Sequence, residues 1–327
     1  MTFLRRLVTI PAFMTAAMVL PAVTIVALPF VVITDLARRT RLGLTRALLM
    51  LDAWFLCEAA GVAAAGWIWA TRGRNRERYL RRNFRLQRWW SRTLFRAGVF
   101  FFSIKVEVEG NEVATPGPVL LFIRHVSPLD NIIPAVFVAD RYGILLRWVL
   151  NRALLRDPCL DIVGNRLPNA FVRGETSDSQ GEIARVRALA EGLGSRDGVA
   201  MYPEGALYTA ARRERVVQRL AGSGDPVLAG RAARLRHVLP PRLGGSLALL
   251  EAAPGVDVVF CAHSGLERAT RYGSIANGGA VGAEVRIRFW RVAARDIPAG
   301  RNERIAWLLD EWDRVDAFVA ETTSNES

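Results

Sequence analysis

Two long apolar segments occupy the first seventy residues of the chain. Residues 7–34 contain no charged side chain, and a helix of that length would extend about 42 Å, against a hydrocarbon core of about 30 Å. Residues 47–70 are apolar except for Asp52 and Glu58, and such charges are costly in mid-membrane. Three prolines predict kinks or a re-entrant path in the first segment: Pro11, Pro21 and Pro29. We predict a membrane-anchoring helical hairpin over residues 1–71, either crossing fully or lying shallowly at the interface.

The rest of the chain alternates short apolar runs with amphipathic segments. Predicted strands cover residues 104–108, 119–123, 199–202, 256–262 and 285–292. Predicted helices lie near residues 129–139, 181–193, 244–253 and 302–320. This order predicts that residues 101–327 form one α/β domain, with a mixed sheet flanked by helices.

Basic charge is concentrated between these two parts. Residues 72–98 contain ten arginines against Glu77 alone, whereas the whole chain has a net charge of +13. Aromatic and aliphatic side chains interrupt the arginines, so we predict an amphipathic interfacial helix over residues 72–100 that binds anionic membrane lipids. Since basic residues favour the cytoplasmic side, we expect the folded domain on the cytoplasmic face of the cell membrane. Nucleic acid is not an expected partner, because the excess charge does not lie on that domain.

His125 and Asp130 directly follow the predicted strand 119–123. Ser127-Pro128 is typical of a helix N-cap with proline at the first helical position, which puts Asp130 in the first turn. That turn can fold the Asp130 carboxylate back onto one ring nitrogen of His125, leaving the other nitrogen free to accept a proton. The pattern predicts a general base. The structural alternative is a helix-capping aspartate beside a hydrogen-bonded surface histidine.

A second motif, Pro203-Glu204-Gly205, follows the predicted strand 199–202. In open α/β sheets ligands gather beyond the carboxyl ends of strands, so we expect this turn to face His125. Gly205 allows a close approach of the backbone, and its N–H could face a developing oxyanion. The alternative is an ordinary proline-glycine turn.

Cysteine and histidine are scarce, with three of each in the chain. Their spacing matches no metal-binding pattern, so neither a disulfide framework nor a metal site is predicted. His237, His263 and Ser264 lack a G-x-S-x-G context, and we predict ordinary core or surface positions for them.

The two motifs together resemble the glycerolipid acyltransferase family that includes 1-acylglycerol-3-phosphate acyltransferases. The NHxSxxD block of that family corresponds to residues 124–130 and its FPEGTR block to residues 202–207. Between the blocks, Gly164 and Arg173 are similar to a glycine and an arginine of the family, and residues 239–245 resemble its LxPRxxG block. The resemblance covers nearly the whole chain.

The resemblance implies a catalytic pair and a set of substrate-binding residues. His125 would be the general base and Asp130 its orienter, while Glu204 and Gly205 would arrange the site or the acceptor. Leu207 stands where the family has an arginine that binds the acceptor's phosphate, and leucine cannot replace a guanidinium. Arg124 likewise stands where the family has asparagine. Another cation is therefore expected near the acceptor, and the candidates are Arg173, Arg242, Arg124 and the pair Arg212-Arg213.

The resemblance implies a membrane-bound O-acyltransferase of phospholipid biosynthesis. It would move a fatty acyl group from acyl-CoA or acyl-carrier protein to the free hydroxyl of a lysophospholipid, with 1-acylglycerol-3-phosphate or another lysoglycerophospholipid as the expected acceptor. No cofactor is implied beyond the acyl donor. The alternative, which the change to Ala206-Leu207 raises, is a catalytically silent relative that binds lipid or a partner at the membrane.

Overall fold

The computed structural model describes residues 2–173, 180–222 and 224–324. Its helices are α1 (Thr2–Arg38), α2 (Gly43–Ala70), α3 (Arg76–Phe102), α4 (Pro158–Gly164), α5 (Gln180–Ala188), α6 (Ala210–Ala221), α7 (Pro226–Arg234), α8 (Leu243–Ala252), α9 (Tyr272–Ser274) and α10 (Arg301–Ser324). Its strands are β1 (Lys105–Glu109), β2 (Val119–Ile123), β3 (Leu145–Asn151), β4 (Ala170–Val172), β5 (Asp197–Met201), β6 (Asp257–Ser264) and β7 (Glu284–Val292). Short 3₁₀ or π-helical turns occur at Asn111–Ala114, Pro128–Ile132, Ala135–Asp140, Arg152–Arg156, Ile275–Gly279 and Ala294–Asp296.

Within the described residues the strands form one seven-stranded sheet in the order β1-β7-β6-β2-β5-β3-β4. The central strand β2 pairs in parallel with β5 and β6, and the sheet continues in parallel from β5 through β3 to β4. On the other side β6 and β7 are antiparallel, while β7 and β1 are parallel. The predicted mixed sheet flanked by helices is therefore confirmed.

Burial on both faces explains why β2 is apolar throughout. Every residue from Val119 to Ile123 has 0% exposed surface. Leu120 and Phe122 belong to the core beneath α5, α8 and α10, whereas the alternate residues of the strand belong to the core of the opposite face. Full burial of side chains of this size contributes about 1.5–3 kcal/mol each, which fixes the carboxyl end of β2 firmly.

Several local predictions need correction. The apolar pattern does not predict β3 or β4, and the helix predicted near residues 129–139 is instead a 3₁₀ turn followed by a π-helical turn, Pro128–Ile132 and Ala135–Asp140. Proline at position 134, between these turns, cannot donate a helical hydrogen bond, which accounts for the irregular path. In contrast, α1 is helical throughout Thr2–Arg38 despite its three prolines, which the pattern predicts to kink the segment or turn it back.

The helices α1 and α2 form a hairpin that lies lengthwise against the α/β domain. At one end, Arg5 and Arg6 of α1 form ion pairs with the buried Asp161 of α4, at 2.7 and 3.0 Å. At the other end, the turn between α1 and α2 packs so tightly on the turn Ile275–Gly279 that a Cβ on Gly43 would lie 2.4 Å from the backbone of Gly278. These two contacts are about 50 Å apart along α1. The domain thus supports the hairpin along its length.

The outer face of α1 is apolar and exposed from end to end. Its exposed side chains include Phe3 (77%), Met18 (79%), Ile25 (74%) and Phe30 (70%). Both α1 and α2 are long and apolar enough to cross a membrane. A continuous apolar surface of this extent on a folded protein marks an interaction surface, and here it fits a lipid phase.

Glu58, one of the two acidic residues of α2, points into the protein rather than towards the outer face. It has no exposed surface and accepts hydrogen bonds from the Trp90 indole N–H at 2.6 Å and the Cys159 backbone N–H at 3.1 Å. A carboxyl group with these partners joins α2 to α3 and α4. The cost of burying it in the hairpin is thereby offset.

Candidate active site

The two sequence motifs meet at one edge of the sheet. β2 and β5 are parallel neighbours, with Phe122 opposite Met201, so their carboxyl ends lie side by side. His125 follows β2 by two residues, and Glu204 follows β5 by three. This is the edge at which ligands bind in open α/β sheets.

His125 and Asp130 form a hydrogen-bonded pair, as the spacing predicts. The imidazole Nδ1 lies 2.9 Å from Asp130 Oδ1. The Ser127 side chain accepts a hydrogen bond from the Leu129 N–H, Pro128 begins the turn, and Asp130 lies in its first turn. The local sequence therefore brings the carboxylate back onto the imidazole through an N-cap.

Asp130 is held as a carboxylate by its surroundings. Its Oδ2 accepts hydrogen bonds from the backbone N–H groups of Val126 at 2.7 Å and Ser127 at 2.9 Å. Burial opposes ionisation of Asp130, but the charge and hydrogen bond of His125 and these N–H groups outweigh it, and the pKa lies below its ordinary value. The net pKa of His125 lies above its ordinary value of 6.5. Burial alone would lower it, but the charge and hydrogen bond of Asp130 stabilise the imidazolium more strongly.

The second ring nitrogen of His125 points away from this network. Since Nδ1 donates to Asp130, Nε2 carries the lone pair in the neutral ring, and no residue that the structure describes is hydrogen-bonded to it. The ring packs on Tyr202, with centroids 4.2 Å apart, and its side chain is 16% exposed. A fixed imidazole with one accessible basic nitrogen is the arrangement that general-base chemistry needs.

Glu204 holds the two strand ends and a third segment together. One carboxylate oxygen accepts from the His125 backbone N–H and the other from the Leu239 backbone N–H, both at 2.9 Å. Burial raises the pKa of Glu204 to about 7, although Arg124, these N–H groups and His125 act in the opposite direction. Its side chain is almost wholly buried and each oxygen accepts one backbone N–H, which fits the first of its two expected roles, arranging the site; contact with the acceptor stays a prediction. It acts as internal support for His125.

Gly205 lies beneath the side chain of Arg242. Its φ is +69°, and a Cβ at this position would lie 2.5 Å from Arg242 Cδ, so glycine is required for both reasons. The Gly205 N–H donates to the Tyr202 carbonyl at 3.0 Å, and the expectation that it faces an oxyanion is therefore not met. The close approach predicted for Gly205 is made by Arg242, which the structure brings to the site.

Arg124, a predicted substrate-binding residue, is instead part of the core. Its side chain has no exposed surface, and it forms an ion pair with Glu267 at 2.7 Å. It also donates to the backbone carbonyls of His263 at 2.6 Å and His237 at 2.9 Å. These bonds secure the segments on either side of β2, so the prediction that Arg124 binds the acceptor is wrong.

Comparison with solved structures identifies the architecture. The chain is similar to the crystal structure of the 1-acyl-sn-glycerophosphate (LPA) acyltransferase PlsC from Thermotoga maritima, with a TM-score of 0.56 over 88% of this chain and 98% of that chain. The fold is PlsC-like. The two sequences are 16% identical, so the likeness is one of fold. No family model matches the chain, and the search of curated proteins finds no similar sequence.

Within the PlsC-like fold, Arg173 lies at the same edge of the sheet but farther out. It directly follows β4, which is separated from β2 by β5 and β3, a distance of about 14 Å across three strand spacings. There it shares a cavity of about 260 Å³ with Arg152, Glu182 and Arg185. The structure thus does not bring Arg173 against His125, although an extended substrate could reach both along the edge.

Two further basic residues are close to the edge of the PlsC-like fold that carries His125. Arg212, in the first turn of α6, is near enough for its charge to lower the pKa of His125 against the influence of Asp130. Arg213 donates to the backbone carbonyls of Leu235 and Ala233 and so holds α6 against the end of α7. Of the predicted pair, Arg212 is therefore the residue whose charge acts on the pKa of His125.

His263 is the site residue that the sequence motifs do not reveal. It lies on β6 with no exposed surface, its Nε2 is 2.9 Å from the Arg124 carbonyl oxygen and 3.6 Å from Asp130 Oδ2. Burial lowers the pKa of His263, so its ring is neutral beside the Asp130 carboxylate. The prediction of an ordinary core position is right about burial but misses this proximity. Only the pairing of β6 with β2 brings the two residues together.

Proposed function

We propose that this protein is a membrane-bound O-acyltransferase that acylates the free hydroxyl of a lysophospholipid. The observation that carries the proposal is the His125–Asp130 pair, with Nε2 available, next to the Glu204-Gly205 turn in a PlsC-like fold. Fold alone does not determine function, so the proposal depends on this geometry.

The chemistry requires one base and no covalent enzyme intermediate. His125 Nε2 accepts the proton of the acceptor hydroxyl as its oxygen attacks the carbonyl carbon of an acyl thioester. The tetrahedral intermediate then expels the thiolate, which takes the proton back from the imidazolium. The carboxylate of Asp130 stabilises the imidazolium between these two steps. General-base help of this kind accelerates such reactions by about 10²–10⁴-fold.

We assign the acceptor to the lysoglycerophospholipids, with 1-acylglycerol-3-phosphate as the first candidate. Arg242 beside Gly205 and Arg212 near His125 are the arginines that could neutralise its phosphate in place of the family's arginine at position 207. The acyl donor would be acyl-CoA or acyl-carrier protein, and the reaction needs no cofactor beyond it.

The proposed membrane arrangement follows from the hairpin. Because the α/β domain contacts the start of α1 and the turn that joins α1 to α2, a hairpin that crosses the bilayer would require the domain to enter the membrane with it. A hairpin lying along the membrane surface, with its exposed apolar face in the lipid and α3 at the headgroups, avoids this cost. We place the catalytic edge on the cytoplasmic side, as the arginines of α3 favour.

The test is an acceptor panel. Membranes containing the protein are incubated with radiolabelled acyl-CoA or acyl-carrier protein and with lysophosphatidic acid, lysophosphatidylglycerol, lysophosphatidylcholine and lysophosphatidylethanolamine. The proposal predicts transfer to at least one of these above control membranes. If a lysolipid binds the protein but no labelled acyl group is transferred to any acceptor, the catalytically silent alternative suggested by Ala206-Leu207 is correct instead.

A further inference from the structure

A groove between α2 and α3, formed by the hairpin and the basic helix, has an apolar floor. The groove is open to its surroundings and has a volume of about 460 Å³. Ile68 of α2 and Leu86 of α3, 7% and 6% exposed, lie deepest. Ala64 and Ala60, one and two turns before Ile68 on the same face of α2, have side chains too short to fill the space above. The floor therefore suits a hydrocarbon chain.

The rim of the groove is cationic. Arg82 and Arg85 line it from α3, three residues apart and so on one face of the helix. Arg82 is held in place by a hydrogen bond to the Thr71 carbonyl at 3.1 Å. Two guanidinium groups beside an apolar floor match the phosphate and the acyl chain of a phospholipid in both charge and polarity.

Exposed tryptophans flank the groove. Trp89 of its rim is 36% exposed, and Trp67 and Trp69 at the nearby end of α2 are 68% and 55% exposed. The Arg72 guanidinium lies over the Trp69 ring, 5.3 Å from its centroid. Exposed tryptophans accompanied by arginines are typical of the headgroup layer. A lipid could enter the groove directly from that layer.

We propose that this groove binds one molecule of an anionic glycerophospholipid, with its phosphate between Arg82 and Arg85 and one acyl chain along Ala60, Ala64, Ile68 and Leu86. The site is separate from His125 and holds a lipid that is not consumed. It differs from general attraction between a basic helix and an anionic surface, because it depends on two particular arginines and on an open floor.

The experiment uses the full chain in detergent micelles, with phosphatidylglycerol as the probe. Retention of single lipid molecules is measured by native mass spectrometry, and binding affinity by the lipid-dependent rise in melting temperature. The double variant Arg82→Ala/Arg85→Ala removes the rim, and Ala60→Phe fills the floor without changing charge. The matched control is Arg76→Ala/Arg78→Ala, which removes the same charge from exposed positions of α3 outside the groove.

Phosphatidylglycerol should bind the wild type and the control with affinities within about twofold. Both groove variants should lose at least about tenfold in affinity: Arg82→Ala/Arg85→Ala because a charge-assisted hydrogen bond to phosphate contributes more than the energy of a tenfold change, and Ala60→Phe because its ring takes the place of the acyl chain. Melting temperatures measured without lipid identify any groove variant that fails to fold. The proposal is then tested by the lipid affinity of the groove variant that does fold. Equal losses in the control and the Arg82/Arg85 variant, undiminished binding by Ala60→Phe, or an equal rise in melting temperature with inorganic phosphate would overturn the proposal.

Discussion

At the scale of single residues, the site depends on how a few buried polar groups are satisfied. His125 is oriented by Asp130, and its backbone N–H is held by Glu204. Asp130 is itself fixed by two backbone N–H groups and has His263 as a second imidazole neighbour. Each of these groups has a partner that makes its charge state predictable, and so its removal has a predictable consequence.

Replacing Asp130 with asparagine should alter the pH dependence of acyl transfer as well as its rate. In the wild type His125 must be neutral to act as a base, so the rate should fall as the pH drops through a pKa that Asp130 holds above 6.5. Without the carboxylate, burial prevails, and the acid limb of the profile should move to lower pH. The rate at pH 8 should fall by about 10²–10⁴-fold. An acid limb that does not move in Asp130→Asn would show that a different group is being titrated.

Glu204→Gln should destabilise the protein, because the amide NH₂ cannot accept a hydrogen bond from the second of two backbone N–H donors. An unsatisfied buried donor costs about 1–3 kcal/mol, or several degrees in melting temperature.

The raised pKa of Glu204 also predicts how the stability of the protein depends on pH. Between its unfolded value of 4.5 and about 7 the folded state binds more protons, so the contribution of Glu204 to stability declines as pH rises. Thermal unfolding at several pH values measures both effects. Glu214→Gln, at an exposed position of α6, is the control, and an equal loss there would contradict the assignment.

At the scale of elements, apolar patterning predicts what is buried on both faces and fails where a charge is buried with distant partners. The apolar runs 119–123 and 199–202 correspond to β2 and β5. The sequence also predicts the helix cap at Ser127, because the contacts of that cap are local. Arg147 interrupts β3 in the sequence, yet the structure satisfies it with Asp197 and three backbone carbonyls that lie more than forty residues away. Since no local pattern encodes such distant partners, the sequence does not predict β3.

The same limit accounts for the errors at the site. The sequence predicts that Arg124 lies at the surface, because an unpaired charge is too costly to bury. Its ion-pair partner Glu267 is 143 residues away, so no local pattern reveals the pair. His263 approaches Asp130 only because β6 pairs with β2. Local sequence thus predicts that His125 and Asp130 pair, whereas the residues that support the pair emerge only in the tertiary structure.

The contact between α1 and α4 gives a prediction at this scale. Asp161 is fully buried and accepts hydrogen bonds from Arg5, Arg6 and Asn165. Asp161→Asn should weaken the attachment of the start of α1 by about 1–3 kcal/mol, a range at the modest end for ion pairs because both arginines are partly exposed. Hydrogen–deuterium exchange should then speed up in the first ten residues and remain unchanged in α10. Glu77→Gln, at an exposed ion pair of α3, should leave α1 unaffected. No change in exchange in Asp161→Asn would mean that the contact does not hold the helix.

At the scale of the whole molecule, the hairpin and the α/β domain behave as one body with an apolar side. The outer face of α1 is exposed along its length, while α2 lies between α1 and the domain at Gly61 and Ala65, where Cys159 and Arg166 pack. In the proposed membrane arrangement, the edge that carries His125 would therefore lie at a fixed height above the lipid.

This arrangement predicts on which side the turn between α1 and α2 lies. In a spanning hairpin Arg38 would emerge on the far side of the membrane, whereas in a hairpin along the surface it stays on the side of the α/β domain. Arg38→Cys in sealed vesicles should react with a membrane-impermeant maleimide from the same side as Val227→Cys, an exposed reference position in α7. The three natural cysteines are buried, so the background should be low. Labelling of the two positions from opposite sides would establish a crossing.

The central claim, that the free imidazole nitrogen of His125 performs acyl transfer, is tested most directly by comparing wild type, His125→Ala and the control His237→Ala in the same membranes. Acyl transfer to the preferred lysolipid is measured at equal protein levels and with membrane association verified. We predict that His125→Ala loses about 10²-fold or more of the rate while remaining membrane-bound, and that His237→Ala keeps it. Equal rates in wild type and His125→Ala would contradict the mechanism.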